Sequence, residues 1–534
     1  MGRITIFALD ECPHCQRAKG AFKERGIPYT EISLSSHPHR RTDMLALSDR
    51  LTVPQIFLNE KHIGGADDTL ELLKEWDNNC NGDPTSVTDD NETSLTPLQR
   101  YTATIASQPD PSDERLRIST EPPVVVKPPP PRLESDKIEL PNGTFMSVLE
   151  VTEKLKQCLP HDDMPYLMKI YTNCFTGAAA VKAMTKSFDD CSVEKAVAFG
   201  KRLQERQMLH HVVYDHDFED TGDYYFRLQC HQQPDILNSY RIWTQPADED
   251  VVALITRLKK LLGKVESSVT NSQGLVDYKA ACNHELFPVF EEAFCELQTV
   301  DLSKLDRTTK VAFAINLYNV AIKFAFMKVG IGSSSMSRSA FFTTIKFNVG
   351  GHLYSFQDLE NGILRGNARA PYALSTPISK SDPRHAFVLK PEDVDCRIHF
   401  ALNCGATSCP PVKSFTAEGI EEELRIVAEA FCEDDSNVRV DTIHRKIYLN
   451  KILSWYMVDF ASSEEELPHK VVEFLRGSKK IQLQNMLMVE SSKGVSVKFM
   501  NYDWSTNACD ALAFDAGNLK PDYYSVNAAA KAIW

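Results

Sequence analysis

Two cysteines near the start of the chain are spaced as in a redox-active dithiol. Cys12 and Cys15 are separated by two residues, between a predicted strand, Arg3–Leu9, and a predicted helix, Pro13–Arg25. At such a turn the unpaired amides and the dipole of the helix favour a thiolate on the first cysteine. The second cysteine lies one turn later, close enough to form a disulfide with the first and release a bound partner. The pair therefore predicts thiol–disulfide exchange.

Two other interpretations of this pair remain open. It could be half of a zinc site, but zinc needs two more ligands and only Cys80 follows within the first 80 residues. It could also consist of two incidental core cysteines.

Alternating strands and helices over residues 1–80 indicate a small sheet with helices on its faces. The further predicted elements are the strands Tyr29–Ser33, Gln55–Asn59 and Lys61–Ile63 and the helix Asp67–Trp76.

Two short segments of the same region are suited to bind a peptide-like ligand. The sequence Thr52-Val53-Pro54 precedes a strand, where a cis proline would expose the backbone of Val53 to a bound peptide. Gly64 and Gly65 open the last helix, where close backbone approach and free amides could hold a carboxylate.

With these residues, the segment 1–80 resembles the glutaredoxin family. The resemblance implies an α/β thioredoxin-like fold and glutathione-dependent reduction of protein disulfides or of protein–glutathione adducts. It makes Cys12 the nucleophile and Cys15 the resolving thiol, with glutathione as the reductant and no metal. Thr52, Val53 and Pro54 would contact the glutathione cysteine. The γ-glutamyl end would lie at the start of the last helix, at Gly64, Gly65, Ala66, Asp67 and Asp68.

The segment departs from the family pattern beside the first cysteine. The family usually has a lysine three residues before it, where this chain has Leu9, followed by Asp10 and Glu11. Losing a cation and gaining two anions should weaken both the thiolate and the binding of the glycine carboxylate of glutathione. Arg40, Arg41 or Lys19 could substitute, and His14 stands where tyrosine is common. These departures indicate an alternative function, a signalling adaptor with a weak or inactive glutaredoxin unit.

A proline-rich segment separates this unit from the rest of the chain. Asn81–Leu140 holds ten of the 28 prolines and shows no apolar periodicity. Proline removes amide donors and favours extended backbone, so the segment 81–140 is predicted to be a disordered linker. The unit before it should then move independently of the regions after residue 140.

The next segment, 141–231, resembles a DEP domain, an α+β winged-helix-like module of signalling proteins. Helices are predicted over Ser147–Gln157 and Ser192–Gln207, and a closing hairpin is predicted over Leu209–Asp215 and Tyr224–Gln229. The resemblance implies binding to membrane-associated receptors or to anionic lipids, and not to DNA. His210 and His211 are not expected to share a metal, because neighbouring residues of a strand point to opposite faces. The motifs that carry the resemblance are Tyr171–Gly177, Ala196–Gly200, Leu209–Val212 and Tyr224–Leu228.

The remainder is predicted to be an α+β domain, 248–505, with a helical lead-in and a tail, 506–534. Its motifs resemble the Domain of Unknown Function 547 family over about residues 300–505, and that resemblance implies no reaction. The motif residues are Ala314–Asn319, Asn361–Arg365, Arg397–Pro411 and Asn501–Ser505. The side chains of Asn316 and Asn319 are expected to form helix–loop hydrogen bonds.

Three residues in this domain form a candidate second site. Ile398 to Leu402 alternates as a strand would, which places His399 on its polar face and Cys404 just beyond its end. Cys404 or Cys409 could be the nucleophile of a cysteine hydrolase or transferase, with a histidine as base. Alternatively, His399, Cys404 and Cys409 could bind zinc, the two cysteines could form a reversible dithiol, or all three could pack a structural turn. The other candidate bases and orienting residues are His352, His385, His444, Asp503 and Asn316.

Composition narrows the function classes. With 59 basic and 73 acidic side chains the net charge is −14, which argues against general nucleic-acid binding. The 14 cysteines are too few for a disulfide scaffold, and no signal segment opens the chain. Val311–Val329 contains two asparagines and two lysines and is judged too polar for a membrane span. A multidomain cytoplasmic protein is expected, peripheral at membranes through its DEP-like module, with glutathione and oxidised proteins as further partners.

Overall fold

The chain forms two compact units, Met1–Pro130 with Glu266–Asp277 and Pro131–Val265 with Tyr278–Trp534. The computed structural model describes residues 3–9, 12–34, 37, 40–50, 52–80, 111–117, 136–166, 169–214, 216–245, 250–371, 373–488, 494–520 and 522–524.

The first unit is a four-stranded mixed sheet with helices on both faces. The sheet order is β2-β1-β3-β4, with β1 parallel to β2 and antiparallel to β3. All five residues of β1 are buried, as expected for a central strand covered on both sides. The α/β prediction for this region is confirmed. The strands are β1 (Ile4–Ala8), β2 (Tyr29–Ser33), β3 (Gln55–Leu58) and β4 (Lys61–Gly64), and the helices are α1 (Pro13–Glu24), α2 (Arg40–Ser48) and α3 (Ala66–Cys80).

Part of the predicted linker belongs to this sheet. Residues 111–117 contain a short 3₁₀ turn, and Leu116, only 1% exposed, packs in the cluster of Phe7 and Phe57. The Thr5 hydroxyl donates to the Leu116 carbonyl at 3.2 Å, and Arg40 donates to the Arg115 carbonyl at 2.7 Å. The prediction of a linker over 81–140 is therefore wrong for this stretch, because one leucine fills an apolar face of the sheet. Residues 81–110 and 118–135 lie outside the described residues.

The second unit combines the middle and C-terminal regions. Its strands, with β11 (Val276–Asp277) assigned to the first unit, are β5 (Lys137–Glu139), β6 (Phe145–Ser147), β7 (Asp162–Tyr166), β8 (Lys169–Thr176), β9 (Leu209–His211), β10 (Tyr225–Leu228), β12 (Lys346–Val349), β13 (His352–Ser355), β14 (Val438–Asp441), β15 (Lys446–Leu449), β16 (Ser496–Phe499), β17 (Ala508–Asp510) and β18 (Asp522–Tyr524). Its helices are α4 (Val148–Cys158), α5 (Gly177–Ser187), α6 (Val193–Glu205), α7 (Val251–Ser268), α8 (Tyr278–Ala281), α9 (Phe287–Phe294), α10 (Arg307–Val329), α11 (Ser335–Thr344), α12 (Ile420–Glu433), α13 (Lys451–Trp455), α14 (Met457–Phe460), α15 (Leu467–Val472) and α16 (Gly477–Met488), with α7 ending in the first unit.

The middle region forms its predicted helices and hairpin. Ser147 caps α4 in a full capping box, and Ser192 caps α6. β10 pairs with β9 and with β8, so the closing hairpin is confirmed. Gly200 of α6 is required by packing, because a Cβ there would lie 2.1 Å from the ring of Phe218.

This region is not separated from the C-terminal one as the sequence predicted. The buried Arg241 donates to Asp136 and to Glu292, each at 2.9 Å, and so ties residues before β5 to α9. The predicted tail also contributes a strand, since β18 pairs with β8 and Asp522 accepts a 2.8 Å hydrogen bond from the buried Arg227. Both corrections depend on contacts between residues far apart in the sequence.

The helix α10 is the core of the C-terminal region. By length and composition it could cross a membrane, but 89% of the relevant window is buried inside the protein, as in the core helix of a folded domain. Even its polar residues Asn316 and Asn319 are only 4% and 3% exposed. The helix begins after Asp306, whose carboxylate accepts the amide of Thr309, and ends at Gly330 with φ of 91°.

Candidate functional site

Cys12 and Cys15 differ sharply in their surroundings. Cys12 is the N-cap of α1 and is half-buried, whereas Cys15 is fully buried in the core beneath it. The amide of Cys15 donates to the Cys12 sulfur at 3.2 Å, and such an N–H favours a negative charge on that sulfur. The hydrogen bond to Cys12, and then burial, raise the pKa of the Cys15 thiol. Cys12 therefore carries the accessible sulfur of the pair, and the surroundings of Cys15 favour its protonated form.

The predicted peptide-binding segment lies beside this dithiol. The Val53–Pro54 peptide bond is cis, and the Val53 carbonyl oxygen is 3.7 Å from the Cys12 sulfur. Gln55 donates to the Thr52 carbonyl at 2.8 Å, which holds the segment against the start of β3. Thr52 is exposed and Val53 is half-buried, so a ligand sulfur bound to Cys12 would meet their backbone.

At the start of α3, a backbone amide that the sequence predicted to be free already has a hydrogen-bond partner. The Gly65 amide, expected to be free, donates to the Asp68 carboxylate at 2.8 Å. That hydrogen bond, followed by the one from Arg50 at 3.1 Å, lowers the pKa of Asp68. Gly64 adopts a φ of 133°, and a Cβ there would lie 2.0 Å from the same carboxylate. A ligand carboxylate at this amide would therefore compete with Asp68.

Two arginines near this helix were missed by the sequence analysis. Arg17 of α1 pairs with Asp67, and Arg50 pairs with Asp68. Ala66, the first residue of α3, is buried in the core cluster beneath them. No local pattern links these partners, because 50 and 18 residues separate them in sequence.

The cations expected to replace the missing lysine have other partners. Lys19 donates to Glu31 at 2.8 Å, and Arg40 pairs with Asp43 at 2.7 Å. Leu9 packs against the apolar cluster of Phe7. Arg41 lies in the first turn of α2, His14 is exposed on the first turn of α1, and Asp10 and Glu11 lie outside the described residues. That Leu9 in place of lysine weakens the Cys12 thiolate and the binding of the glycine carboxylate of glutathione thus remains a prediction.

An accessible cysteine above a buried one, at the start of a helix on a mixed four-stranded sheet, defines a thioredoxin-like dithiol domain. The glutaredoxin family profile matches residues 4–63. Glutaredoxin 3 of Escherichia coli K12 is 38% identical over 72 residues, which cover 14% of this chain and 87% of that protein. Glutaredoxin-C4 of Arabidopsis thaliana is 40% identical over 76 residues, 14% of this chain and 56% of that protein. Through this N-terminal segment the chain belongs to the glutaredoxin family.

Further comparisons concern the fold and the other regions. The solution structure of glutaredoxin from Brucella melitensis is 37% identical and covers 15% of this chain and 86% of that one, with a TM-score of 0.14. The domain found in Dishevelled, Egl-10 and Pleckstrin (DEP) matches residues 159–228. The protein family of unknown function DUF547 matches residues 302–432. All three resemblances inferred from the sequence are thereby confirmed.

In the C-terminal region, Cys404 and Cys409 come together and Tyr502 joins them. The two sulfurs are 3.1 Å apart, and the Tyr502 hydroxyl is 3.1 Å from the Cys409 sulfur. The Cys404 amide also donates to the Cys409 sulfur at 3.2 Å. The hydrogen bond with Cys404, then that with Tyr502, lower the pKa of Cys409 to about 7 against the effect of burial, whereas the pKa of Cys404 is raised.

His399 does not join these cysteines in the contacts of the described residues. The strand predicted over Ile398–Leu402 is wrong: Cys396–Phe400 is a 3₁₀ turn capped by Asp395. The Nε2 atom of His399 is 2.7 Å from the carboxylate of Asp459, and its ring stacks on Tyr456 at 3.9 Å. The zinc hypothesis and the direct His399 base hypothesis lose their geometric basis.

Asp459 is the residue that sequence reasoning missed here. Burial favours its protonated form, yet hydrogen bonds from His399 and Arg365 hold the pKa of Asp459 at about 2. His399, Asp459 and Arg365 thus form a buried hydrogen-bonded cluster that connects the turn to α14. Among the described residues, no cluster of three or more His, Cys, Asp or Glu side chains is arranged to hold a metal ion.

The remaining candidate bases lie elsewhere. The ring of His352 packs on Phe387, His444 is paired with Asp441 at 2.8 Å, and His385 lies in the turn Pro383–Phe387. A cysteine hydrolase needs a histidine within hydrogen-bond reach of its nucleophile. In the part of the chain that the structure describes, the phenol of Tyr502 takes that place beside the cysteine pair.

The asparagines of α10 hold the cysteine loop in place, as predicted. Asn319 donates to the Ala401 carbonyl at 3.0 Å and accepts the Asn403 amide at 2.8 Å. Asn316 makes the equivalent two bonds to Phe415, at 2.7 and 3.1 Å. The segment from 501 to 505 clamps the other side, where the Asp503 amide donates to Ser408 at 2.9 Å. Asp503 thus acts through its backbone here.

Proposed function

We propose that this protein is a glutathione-dependent dithiol oxidoreductase that reduces protein disulfides or protein–glutathione adducts. The observation that carries the proposal is the asymmetry of the pair: Cys12 is accessible and accepts an amide N–H, while Cys15 is buried and protonated beside it. Membership of the glutaredoxin family supports the same chemistry.

The reaction is a consequence of that asymmetry. The Cys12 thiolate attacks the glutathione sulfur of an adduct, the S–S bond breaks, and the client leaves as a thiolate that takes a proton from solvent. A second glutathione thiolate then attacks the Cys12 adduct and leaves as glutathione disulfide, which restores Cys12. With a protein disulfide, Cys15 attacks the Cys12–client bond and transfers its proton to the departing client sulfur. Two glutathione molecules then reduce the Cys12–Cys15 disulfide.

Binding of glutathione would use the residues around the dithiol. The backbone of Val53, beside the Cys12 sulfur, suits the cysteinyl residue of the tripeptide. The carboxylates of Asp67 and Asp68 suit its α-amino group, and Gly65 suits its α-carboxylate in competition with Asp68. Thr52, Pro54, Gly64 and Ala66 shape the backbone on either side of this path.

The alternative is an adaptor whose glutaredoxin unit binds but does not turn over, and Leu9 favours it. A steady-state assay on the full chain separates the two functions, with a glutathionylated peptide as substrate and glutathione as reductant. Glutathione-dependent turnover that Cys12→Ser abolishes and that Cys509→Ser leaves intact supports the enzyme; Cys509 is an exposed cysteine far along the chain. Binding of glutathione without turnover would establish the adaptor instead.

We also propose that the DEP region directs this activity to membrane-associated receptors or anionic lipids of the cytoplasmic face. The family match to 159–228 supports it. Sedimentation of the full chain with vesicles containing phosphatidylserine, against vesicles of phosphatidylcholine alone, tests the lipid arm. Equal recovery with both vesicles would leave a protein receptor as the partner and would exclude anionic-lipid targeting.

A further inference from the structure

The loop that carries Cys404 and Cys409 is built to hold two sulfurs face to face. Gly405 between them has a φ of 89°, and a Cβ there would lie 2.3 Å from the ring of Phe326. The Asn403 side chain accepts the Gly405 amide at 2.7 Å and donates to the Pro410 carbonyl at 2.6 Å. The turn is therefore closed at both ends by one asparagine.

The sulfurs are nearly at bonding distance. They are 3.1 Å apart, and a disulfide needs about 2.05 Å. An approach of about 1 Å lies within the range of small χ1 rotations, so the bond forms without rearrangement of the clamped loop. Thr407, which donates to the Ser505 carbonyl at 2.8 Å, keeps the loop against the neighbouring segment.

Cys409 is the sulfur suited to carry negative charge. Its sulfur accepts hydrogen bonds from the Cys404 amide, from the Tyr502 hydroxyl and from the Cys404 thiol. Burial acts the other way on two further thiols of this region: it raises the pKa of Cys295 to about 12 and also raises the pKa of Cys432. A cysteine kept only for packing gains nothing from donors that stabilise a thiolate.

We propose that Cys404 and Cys409 are a second redox-active dithiol, in which Cys409 reduces a small peroxide and Cys404 resolves the product to a disulfide. The proposal does not rest on the activity of the N-terminal domain. It assigns Tyr502 as a positioning residue that stabilises the Cys409 thiolate.

The surroundings favour a small oxidant. Cys404 lines a small depression whose wall includes four aromatic side chains, and Arg338, which also lines it, stacks on Trp504, 4.8 Å from the ring centroid. The Cys409 sulfur lies behind that of Cys404, 3.1 Å away, so an oxidant that approaches through this depression has to be small, and hydrogen peroxide is small and uncharged. The aromatic wall residues are Phe326, Phe341, Phe342 and Trp504.

The chemistry balances with hydrogen peroxide as the oxidant. The Cys409 thiolate attacks one peroxide oxygen, the O–O bond breaks, and hydroxide leaves and is protonated to water, which gives a sulfenic acid. Cys404 then attacks the sulfenic sulfur, the S–O bond breaks, and the Cys404 proton leaves with the hydroxide as a second water. The dithiol has lost two electrons and two protons. Two glutathione thiols restore it and form glutathione disulfide.

Peptide mapping of the full chain tests this directly. Both cysteines lie in one tryptic peptide, Ile398–Lys413, so their disulfide removes two hydrogen masses from a single fragment. At peroxide concentrations that leave Cys432 and the exposed Cys509 reduced, we expect this fragment to be oxidised completely and to recover with glutathione. Oxidation of Cys509 before this pair, or sulfenic or sulfinic acid without the disulfide, would overturn the proposal.

A second set of variants separates redox chemistry from packing. Cys404→Ala should trap a sulfenic acid on Cys409, detected with dimedone. Tyr502→Phe removes one donor and should raise the pH midpoint of Cys409 alkylation and slow peroxide oxidation at pH 7 about tenfold. Tyr448→Phe, on β15 of the same region, is the matched control and should change neither. An unchanged pH profile in Tyr502→Phe, with the fold intact by circular dichroism, contradicts the assigned role.

Discussion

The Asp68 carboxylate accepts the amide of Gly65 at 2.8 Å, at the position where a glutathione carboxylate would approach α3. The same carboxylate is paired with Arg50 at 3.1 Å. The start of the helix therefore presents a charge pair to a ligand that carries both an ammonium and a carboxylate. The Asp68 carboxylate can bind the ammonium group of the ligand, but it has to release the Gly65 amide before the carboxylate of the ligand can bind there.

Asp68→Ala should raise the KM for glutathione about tenfold and leave kcat unchanged. The variant loses a charge-assisted contact with the ammonium, worth roughly 1.5–3 kcal/mol less the gain at the freed amide. Steady-state kinetics with glutathione as the varied substrate measure it, and Glu71→Ala, exposed on the same helix, is the control. A fall in KM would show that the competition of Asp68 for the Gly65 amide outweighs its contact with the ammonium group of the ligand.

Substitution of Cys12 and substitution of Cys15 should affect the two proposed activities differently. Cys12→Ser should abolish both disulfide reduction and adduct removal, because a hydroxyl is no substitute for the thiolate nucleophile. Cys15→Ser should keep part of the adduct removal, since Cys12 and a second glutathione suffice there. Parallel assays with a peptide disulfide and a glutathionylated peptide measure both activities. Complete loss of both in each variant would refute the assigned roles.

Leu9→Lys should lower the pH midpoint of Cys12 alkylation and the KM for glutathione. It places a positive charge near a thiolate and a carboxylate, which both become more stable. Leu9 also packs against the cluster of Phe7 and Phe57, so Leu9→Met serves as the control that changes packing without charge. An alkylation midpoint that stays or rises would mean that another group already supplies the charge, and the adaptor hypothesis would lose its basis.

Leu116→Ala should destabilise the N-terminal unit by about 2–5 kcal/mol, as expected for deletion of a buried leucine side chain. Leu116 is 1% exposed in that core, whereas Leu374, 93% exposed, gives the control substitution to alanine. Hydrogen exchange of the β1 amides in the full chain measures the local effect. Unchanged protection of β1 would mean that the 111–117 segment does not stabilise the sheet.

Protonation of Asp459 in acid should lower the free energy of unfolding. Its pKa of about 2 lies below the ordinary value near 3.9, so its contribution is complete above about pH 4. It is then lost as the pH falls toward about 2, a change of roughly 2 kcal/mol. Urea unfolding at several pH values measures this contribution.

Asp459→Asn should remove that component and also lower stability at pH 7, because Arg365 and His399 lose a buried charged partner. Asp441→Asn is the control, since it belongs to a His–Asp pair whose histidine is exposed. An acid profile identical to that of the wild type would place the titration on other carboxylates.

Local sequence was sufficient wherever a structure depends on neighbours a few residues apart. The starts of the helices at Ser147 and Ser192, the helix that begins after Cys12, and the cis bond at Pro54 are all predicted by short motifs. Hydrogen bonds from a side chain to an amide two or three residues on require no knowledge of the rest of the chain. The redox pair itself belongs to this class.

The turn at His399 shows where local sequence was ambiguous. Apolar residues at Ile398, Phe400 and Leu402 satisfy the period of a strand, but a run this short also suits a helical turn. The carboxylate of Asp395 caps the Arg397 amide and selects the 3₁₀ turn. Asp395 is a local signal for that turn, and the alternation of apolar residues does not record it.

The sequence by itself determined the dithiol, its family and the three kinds of region. Only the tertiary structure decided which distant side chains meet: Asp459 with His399, Tyr502 with Cys409, and Leu116 with the sheet. The first two pairs are 60 and 93 residues apart, and Leu116 is 111 residues from Thr5 of β1. Their pairing is set by the packing of helices and strands around a shared core, and no short pattern in one sequence records that packing.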